Sequence, residues 1–276
     1  MFVVGCGRSG TTLVGELLAV HPDVVYLNEP RSLWAVDPRT KVWRPGPGQI
    51  VLTAADLTPA LAGALRERFT EAVTAAGRRR LVEKTPINAF RIGYLDALCP
   101  DALFVHVLRD GRDVAASIAT LAAAPGQRTR LTRGADRLRH RRPTPAGGLW
   151  YGVSDSKWQG LRSLAEAEGI EGVAGADDDM TVRGLLEWRL AVTFARRSLI
   201  ELDRRRSVEV RYEDLAGDGR GTVARLLDAV SLDPADDVLD FADGHIRGGG
   251  HRRSPLRPSE ALIAGDLLEE LGYTER

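Results

Sequence analysis

Residues 5–12 read Gly-Cys-Gly-Arg-Ser-Gly-Thr-Thr, directly after the apolar run Met1-Phe2-Val3-Val4 and directly before a segment with Leu13, Leu17 and Leu18 on one side. A short apolar run ending in glycine reads as a buried parallel strand, and the leucine spacing is helical. A glycine-rich turn between a strand and a helix restricts the chain to α/β architectures. It also gives the turn a chemistry. Gly5, Gly7 and Gly10 let backbone amides point inward, and the N-terminus of the following helix adds its positive end. Thr11 and Thr12 offer hydroxyls to the same anion and are suited to cap the helix. The turn reads as a phosphate cradle.

The rest of the chain alternates in the same way. His21-Pro22-Asp23 stops the first helix, since proline cannot continue it, and residues 24–27 form a second short strand ending at Asn28-Glu29-Pro30. Leu57, Leu61, Leu65, Phe69 and Val73 mark a long amphipathic helix closed by Gly77. Residues 80–83 read as a strand and 87–98 as a helix. The clearest buried strand is 102–108, which runs into Arg109-Asp110-Gly111-Arg112 and a helix through about Ala124. Helices at 181–203, 221–230 and 259–271 and a strand at 207–211 complete the pattern. This predicts a single P-loop-like α/β domain over residues 1–276, with a central parallel sheet covered by helices on both faces. Ligands of such sheets gather at the carboxyl ends of the strands, which puts residues 5–12, Glu29, Lys84 and Arg109 on one rim. Two stretches fall outside the pattern: residues 125–148, with seven arginines against one aspartate, and the short acidic turn 174–179.

The totals remove some functions. A chain of 276 residues, 43% hydrophobic and 28% charged, suits one soluble globular core. Formal net charge is zero, so the overall field argues for neither nucleic acid nor an anionic membrane. Cys6 and Cys99 form neither a metal-ligand spacing nor a disulfide framework, which fits a reducing compartment. No apolar stretch is long enough to span a bilayer, and a strand beginning at the second residue leaves no room for a signal peptide. A cytoplasmic location is expected. Only three of the 38 basic residues are lysines (Lys41, Lys84, Lys157), so each is worth a look.

A nucleotide-kinase loop carries lysine immediately after its last glycine. Here Thr11 stands in that place, and the cation is Arg8, two residues before Gly10. The strand 102–108 ends in Arg109-Asp110, where a magnesium-binding aspartate alone would suit a kinase. Both departures favour a phosphosulfate, which can be clamped by cations without a metal.

The run Gly5-x-x-Arg8-Ser9-Gly10-Thr11-Thr12, followed by Leu108-Arg109-Asp110-Gly111-Arg112-Asp113-Val114-Ala115-Ala116-Ser117, resembles the sulfotransferases that use 3′-phosphoadenosine 5′-phosphosulfate. The likeness is closest to the tyrosylprotein branch and its bacterial relatives. It continues through His21-Pro22-Asp23-Val24, Asn28-Glu29, Lys84-Thr85-Pro86, Trp188, Arg211-Tyr212-Glu213-Asp214-Leu215 and Leu271-Gly272-Tyr273, with residues 125–180 the least similar stretch.

The resemblance implies roles. Gly7, Arg8, Ser9, Gly10, Thr11 and Thr12 would hold the 5′-phosphosulfate, and Arg109 with Ser117, eight residues on, the 3′-phosphate. Glu29, 21 residues after Arg8, matches the general base of the tyrosylprotein branch. Lys84 matches the lysine that stabilises the departing bridging oxygen. The histidine that cytosolic small-molecule members carry after a Lys-Thr pair is replaced here by Pro86, which strengthens Glu29. His21 and His106 read as structural. Tyr212 matches a cofactor-contacting tyrosine but also suits a core position. Residues 246–254 resemble in position a segment that closes over the nucleotide, with Arg247 and Arg252 as candidate contacts. The branch also carries an arginine one turn past the serine, where this chain has Leu121, so one 3′-phosphate contact is lost or supplied elsewhere.

The expectation is a metal-free sulfotransferase that releases 3′-phosphoadenosine 5′-phosphate. The acceptor stays open among small-molecule, carbohydrate and peptide hydroxyls. The oligomeric state is not readable. A phosphotransferase with a degenerate loop and a non-catalytic nucleotide-binding relative remain as alternatives. The arginines of 125–148 read either as a solvated loop or as an acceptor lid. Trp150, Tyr151 and Trp158 could line the acceptor pocket or anchor that loop.

Overall fold

A computed structural model describes residues 1–40, 42, 48–123, 155–174, 177–246 and 255–273. Five strands, β1 (Phe2–Val4), β2 (Val24–Asn28), β3 (Arg80–Lys84), β4 (Phe104–Leu108) and β5 (Ser207–Arg211), form one sheet in the order β2-β3-β1-β4-β5. Every pairing is parallel. Successive side chains of a strand point to opposite faces, and here both faces are apolar. Phe2, Val4, Phe104 and Leu108 enter one core, while Val3, Val82, Val105, Val107 and Val210 enter a second core on the other side.

The second core is closed by α1 (Thr11–Val20), α8 (Tyr212–Gly217), α9 (Gly219–Ala229) and α10 (Asp236–His245). The larger core is closed by α3 (Pro59–Ala76), α4 (Ile92–Leu98), α5 (Gly111–Ala123), α6 (Asp155–Ala167), α7 (Met180–Leu199) and α11 (Pro258–Glu270). A short helix, α2 (Arg31–Trp34), follows β2. No helix among the described residues is long and apolar enough to cross a membrane.

Several boundaries differ from the sequence reading for identifiable reasons. The predicted helix at 87–98 is a 3-10 turn, Pro86–Phe90, followed by α4. Arg91 breaks the run at φ −129° because its buried guanidinium donates to the carbonyl oxygens of Thr40, Gln49 and Ile50. The helix predicted to reach residue 203 ends at Leu199, and Asp203 instead caps the 3-10 turn that leads into β5. Gly77 does close α3, in the left-handed conformation that glycine adopts without strain. Trp158 belongs to α6 and is buried in the larger core, with its indole N–H donating to Asp177 Oδ1 at 2.7 Å. Residues 125–148, Trp150, Tyr151, Arg247 and Arg252 lie outside the described residues.

Candidate active site

The strand order places β1 between β3 and β4, so the turn leaving β1 lies where connections diverge to either side, the usual ligand crevice of such sheets. Gly5 takes φ 147°, and a Cβ there would come within 2.5 Å of the Val107 carbonyl oxygen. Gly10 takes φ 98°, and a Cβ there would come within 2.7 Å of the Tyr212 ring. Gly10, not a threonine, is the N-cap of α1, and no side chain caps the helix. Thr11 and Thr12 therefore occupy the first turn. The free amides at this end, with no acidic side chain in the first turn, form an anion-attracting terminus.

Arg8 is the exposed tip of the loop and is held at φ 73°. Positive φ is uncommon for a side chain other than glycine and marks a backbone constrained by its surroundings. Its Nε donates to Ser117 Oγ on α5 at 3.1 Å, and its carbonyl oxygen accepts from Arg109 Nη1 at 3.2 Å. The Arg109 guanidinium lies over the Tyr212 ring, 4.2 Å from the centroid, and 3.7 Å from Asp113. Arg109 Nε is buried with no partner among the described residues. Gly10, Arg8, Arg109, Ser117 and Tyr212 thus form one continuous wall, while Ser9 and Thr11 are buried behind it.

Behind Arg109 the chain is fixed firmly. Trp188 Nε1 donates to the Arg109 carbonyl oxygen at 2.9 Å. Glu213 accepts from the Asp110 amide at 2.9 Å and from the Tyr273 hydroxyl at 3.0 Å, and Arg112 pairs with Asp110 at 2.8 Å. Trp188, Glu213 and Tyr273 all fall within the family resemblance, and the fold shows that they brace this strand end.

The opposite wall follows from strand register. In the β2–β3 pair Asn28 faces Lys84, so Glu29, the next residue, arrives beside the lysine. Glu29 also has a positive φ, 49°, directly before Pro30, which disfavours the right-handed helical region. Its amide donates to the Lys84 carbonyl oxygen at 2.8 Å, and Lys84 Nζ donates to Glu29 Oε1 at 2.8 Å. The lysine side chain is 2% exposed and the glutamate 40% exposed, so the carboxylate stands at the mouth over a buried ammonium. Burial alone would raise the Glu29 carboxyl. The Lys84 charge and hydrogen bond, with Arg31 and Lys157 behind them, outweigh it and hold the group below its ordinary value. An ionised carboxylate beside an ammonium can take a proton from a hydroxyl while the ammonium meets charge developing on a departing oxygen.

One residue before Lys84, Glu83 points into the larger core. It accepts from Trp34 Nε1 at 2.9 Å, Asn88 Nδ2 at 3.0 Å and the Thr85 hydroxyl. Burial nevertheless pushes it up to about 7. The folded chain therefore holds this proton more tightly than the unfolded chain, and stability falls as pH rises from 4.5 to about 7. Urea unfolding at pH 5 and pH 8 is expected to show a larger loss in the native protein than in Glu83→Gln, by roughly 3 kcal/mol at most. Equal losses in the two proteins would contradict it. His106 Nδ1 lies 3.2 Å from Glu209 Oε2, and His21 Nε2 lies 3.0 Å from the Asp233 carbonyl oxygen.

Comparison with known proteins bears on the family. The nodulation protein NoeE of Sinorhizobium fredii is 30% identical over 136 residues, 45% of this chain and 32% of that protein. Human protein-tyrosine sulfotransferase 1 is 32% identical over 116 residues, 41% of this chain and 31% of that protein. The matched part thus spans about a third of the length of these relatives. A solved sulfotransferase domain from the curacin biosynthetic pathway shares the fold with a TM-score of 0.55 over 96% of both chains, at 14% identity. Residues 1–144, which contain β1 to α5 and with them the glycine loop, Glu29, Lys84, Arg109 and Ser117, match the model of the sulfotransferase family, and the chain belongs to that family.

Proposed function

We propose that this chain transfers a sulfuryl group from 3′-phosphoadenosine 5′-phosphosulfate to an acceptor hydroxyl. The observation that carries the reading is the Glu29–Lys84 pair at 2.8 Å, set at adjacent strand ends across from the glycine loop. The unpartnered Nε of Arg109, the Tyr212 ring beneath its guanidinium and the uncapped N-terminus of α1 suit a nucleotide with anions at both ends. The donor supplies the activated sulfur–oxygen bond. Gly7, Arg8, Ser9, Gly10, Thr11 and Thr12 hold its 5′ end, and Arg109 and Ser117 the 3′-phosphate, with Tyr212 packed beside them. Arg247 and Arg252 belong to the same proposal as contacts from a closing segment.

In the reaction Glu29 takes the acceptor's proton as its oxygen attacks sulfur. Lys84 and Arg8 meet the charge that develops as the old sulfur–oxygen bond breaks, and 3′-phosphoadenosine 5′-phosphate leaves. Orientation and fixed charge supply the rate, without a metal. The acceptor, a small-molecule, glycan or peptide hydroxyl, would enter from the side of residues 125–180, a variable insertion within a single 1–276 domain. The family's range covers both the relative that modifies protein tyrosine and the nodulation protein. We place the protein in the cytoplasm.

Titration calorimetry tests the donor class. Binding of 3′-phosphoadenosine 5′-phosphate without magnesium, weakened at least tenfold in Arg109→Ala, is the expected result, since charged phosphate contacts contribute about 1.5–3 kcal/mol each. ATP binding that requires magnesium and survives the substitution would favour a phosphotransferase instead.

A further inference from the structure

β2 is an edge strand of the sheet, so Glu29, which follows it, has a neighbouring strand on one side alone. Its amide bond to the Lys84 carbonyl oxygen is the last rung of that pairing. Beyond it the chain turns through φ 49° into Pro30 and α2. A backbone in that region persists where its surroundings hold it. α2 is a single turn built on the Pro30 carbonyl oxygen, which accepts from the amides of Leu33 at 3.0 Å and Trp34 at 3.3 Å. One helical turn is not stable by itself in water, so its place is set by tertiary contacts.

Glu83 supplies one of them. Strand alternation sends its side chain away from that of Lys84, into the core, where it is fully buried. Its carboxylate there accepts from Trp34 Nε1 of α2 at 2.9 Å. It also accepts from the turn that follows β3, through the Thr85 hydroxyl and through Asn88 Nδ2 at 3.0 Å. These contacts close a ring. Glu83 is joined through the chain to Lys84, and Lys84 meets Glu29 through both backbone and side chain. Glu29 continues through Pro30 into α2, and Trp34 of α2 returns to Glu83. Arg68 of α3 holds α2 as well, at the Ser32 carbonyl oxygen at 2.6 Å, but refers it to α3 and not to the strand that carries Lys84. Core packing alone does not call for a carboxylate here. A buried carboxylate carries a desolvation cost, and an apolar pair of the same shape can pack as well.

We propose that Glu83 is a positioning residue for the transfer: its buried carboxylate locks α2 to β3 and so keeps the Glu29 carboxylate seated on Lys84 at the mouth of the site. It touches no reacting atom. The proposal rests on Glu29 being the base. The bonding pattern also selects the informative variants. Trp34→Phe deletes the link to α2 and keeps a ring against Phe69, whose centroid lies 5.7 Å from that of Trp34. Glu83→Gln keeps an oxygen for Trp34 and Thr85. Its amide can donate to Asn88 Oδ1, which has no partner among the described residues, once the Asn88 amide turns over. Phe69→Leu loosens the packing on Trp34 and leaves the link intact.

The test is a carbon-13 NMR titration of glutamate-labelled protein, with the Glu29 carboxyl identified by its absence in Glu29→Gln. Beside it, label transfer from the phosphosulfate is measured with a mixture of phenol, oligosaccharide and tyrosyl-peptide acceptors. Trp34→Phe is expected to move the Glu29 midpoint upward as its contact with Lys84 loosens, and to lower kcat roughly tenfold. Affinity for 3′-phosphoadenosine 5′-phosphate should stay native. Glu83→Gln is expected to hold the native midpoint and to keep kcat within about threefold of native. Phe69→Leu is expected to lower Tm and to move neither quantity. A native midpoint or a native kcat in Trp34→Phe overturns the proposal. So do equal changes in Phe69→Leu, which mere loosening of the core would give, and a Glu83→Gln protein that falls as far as Trp34→Phe. Full transfer by Glu29→Gln overturns the base reading and the role of Glu83 with it. An inactive Glu29→Gln enzyme alongside a native-like Trp34→Phe overturns the present proposal alone.

Discussion

Replacing Lys84 by methionine is expected to lower kcat/KM for sulfuryl transfer about 10²–10³-fold, the usual effect of removing one preorganised charge-stabilising donor. Two losses combine in that figure. The departing oxygen loses its ammonium, and Glu29 loses the partner that touches it at 2.8 Å. With burial pushing the carboxyl up and the Lys84 charge and hydrogen bond gone, Glu29 becomes protonated at higher pH. The acid limb of the pH–rate profile should therefore move upward as the plateau falls. Methionine fills the space of the lysine stem, so the fold is retained. Arginine at position 84 is not expected to rescue, because the site is buried and a planar guanidinium is bulkier than the ammonium it would replace. Steady-state rates between pH 5 and pH 9 check both features. A lowered plateau with an unmoved acid limb would mean that Lys84 does not govern Glu29.

Glu29→Gln is expected to reduce transfer about 10²–10⁴-fold, the range for loss of a positioned general base. Glutamine preserves shape, and its amide oxygen can still accept from Lys84 Nζ, so the change is confined to proton affinity. The residue already holds φ 49°, and glutamine meets the same backbone demand. The nucleotide contacts proposed for Arg8, Arg109 and Ser117 lie on the other wall, so donor affinity should be preserved. A rate loss accompanied by an equal loss of nucleotide binding would instead point to a collapsed site.

The strands were legible because a parallel strand covered on both faces is a short run of apolar residues bounded by glycine or charge, as in Phe104–Leu108. The rim followed from the same rule, which is why Glu29, Lys84 and Arg109 could be grouped before any contact was known. The strand order was not legible. Nothing local in residues 80–84 says that β3 inserts between β2 and β1, yet the Asn28–Lys84 register depends on it. Helix Asp155–Ala167 escaped notice although Trp158, Leu161 and Ala165 carry its buried face, since its sequence is otherwise polar. Asp236–His245 was missed for a similar reason, with only Val238 and Ala242 fully buried. The Arg8–Ser117, Glu83–Trp34 and Lys157–Glu187 contacts join residues 109, 49 and 30 positions apart. Such pairings are set by packing, and no local pattern encodes them.

Sulfuryl transfer and nucleotide binding, measured on one preparation of the Glu29→Gln protein, decide most directly whether a carboxylate at the end of β2 drives the reaction. The expected result is 3′-phosphoadenosine 5′-phosphate binding within about twofold of the native protein, with label transfer from the phosphosulfate down at least about a hundredfold. Native binding together with transfer at the native rate would contradict it.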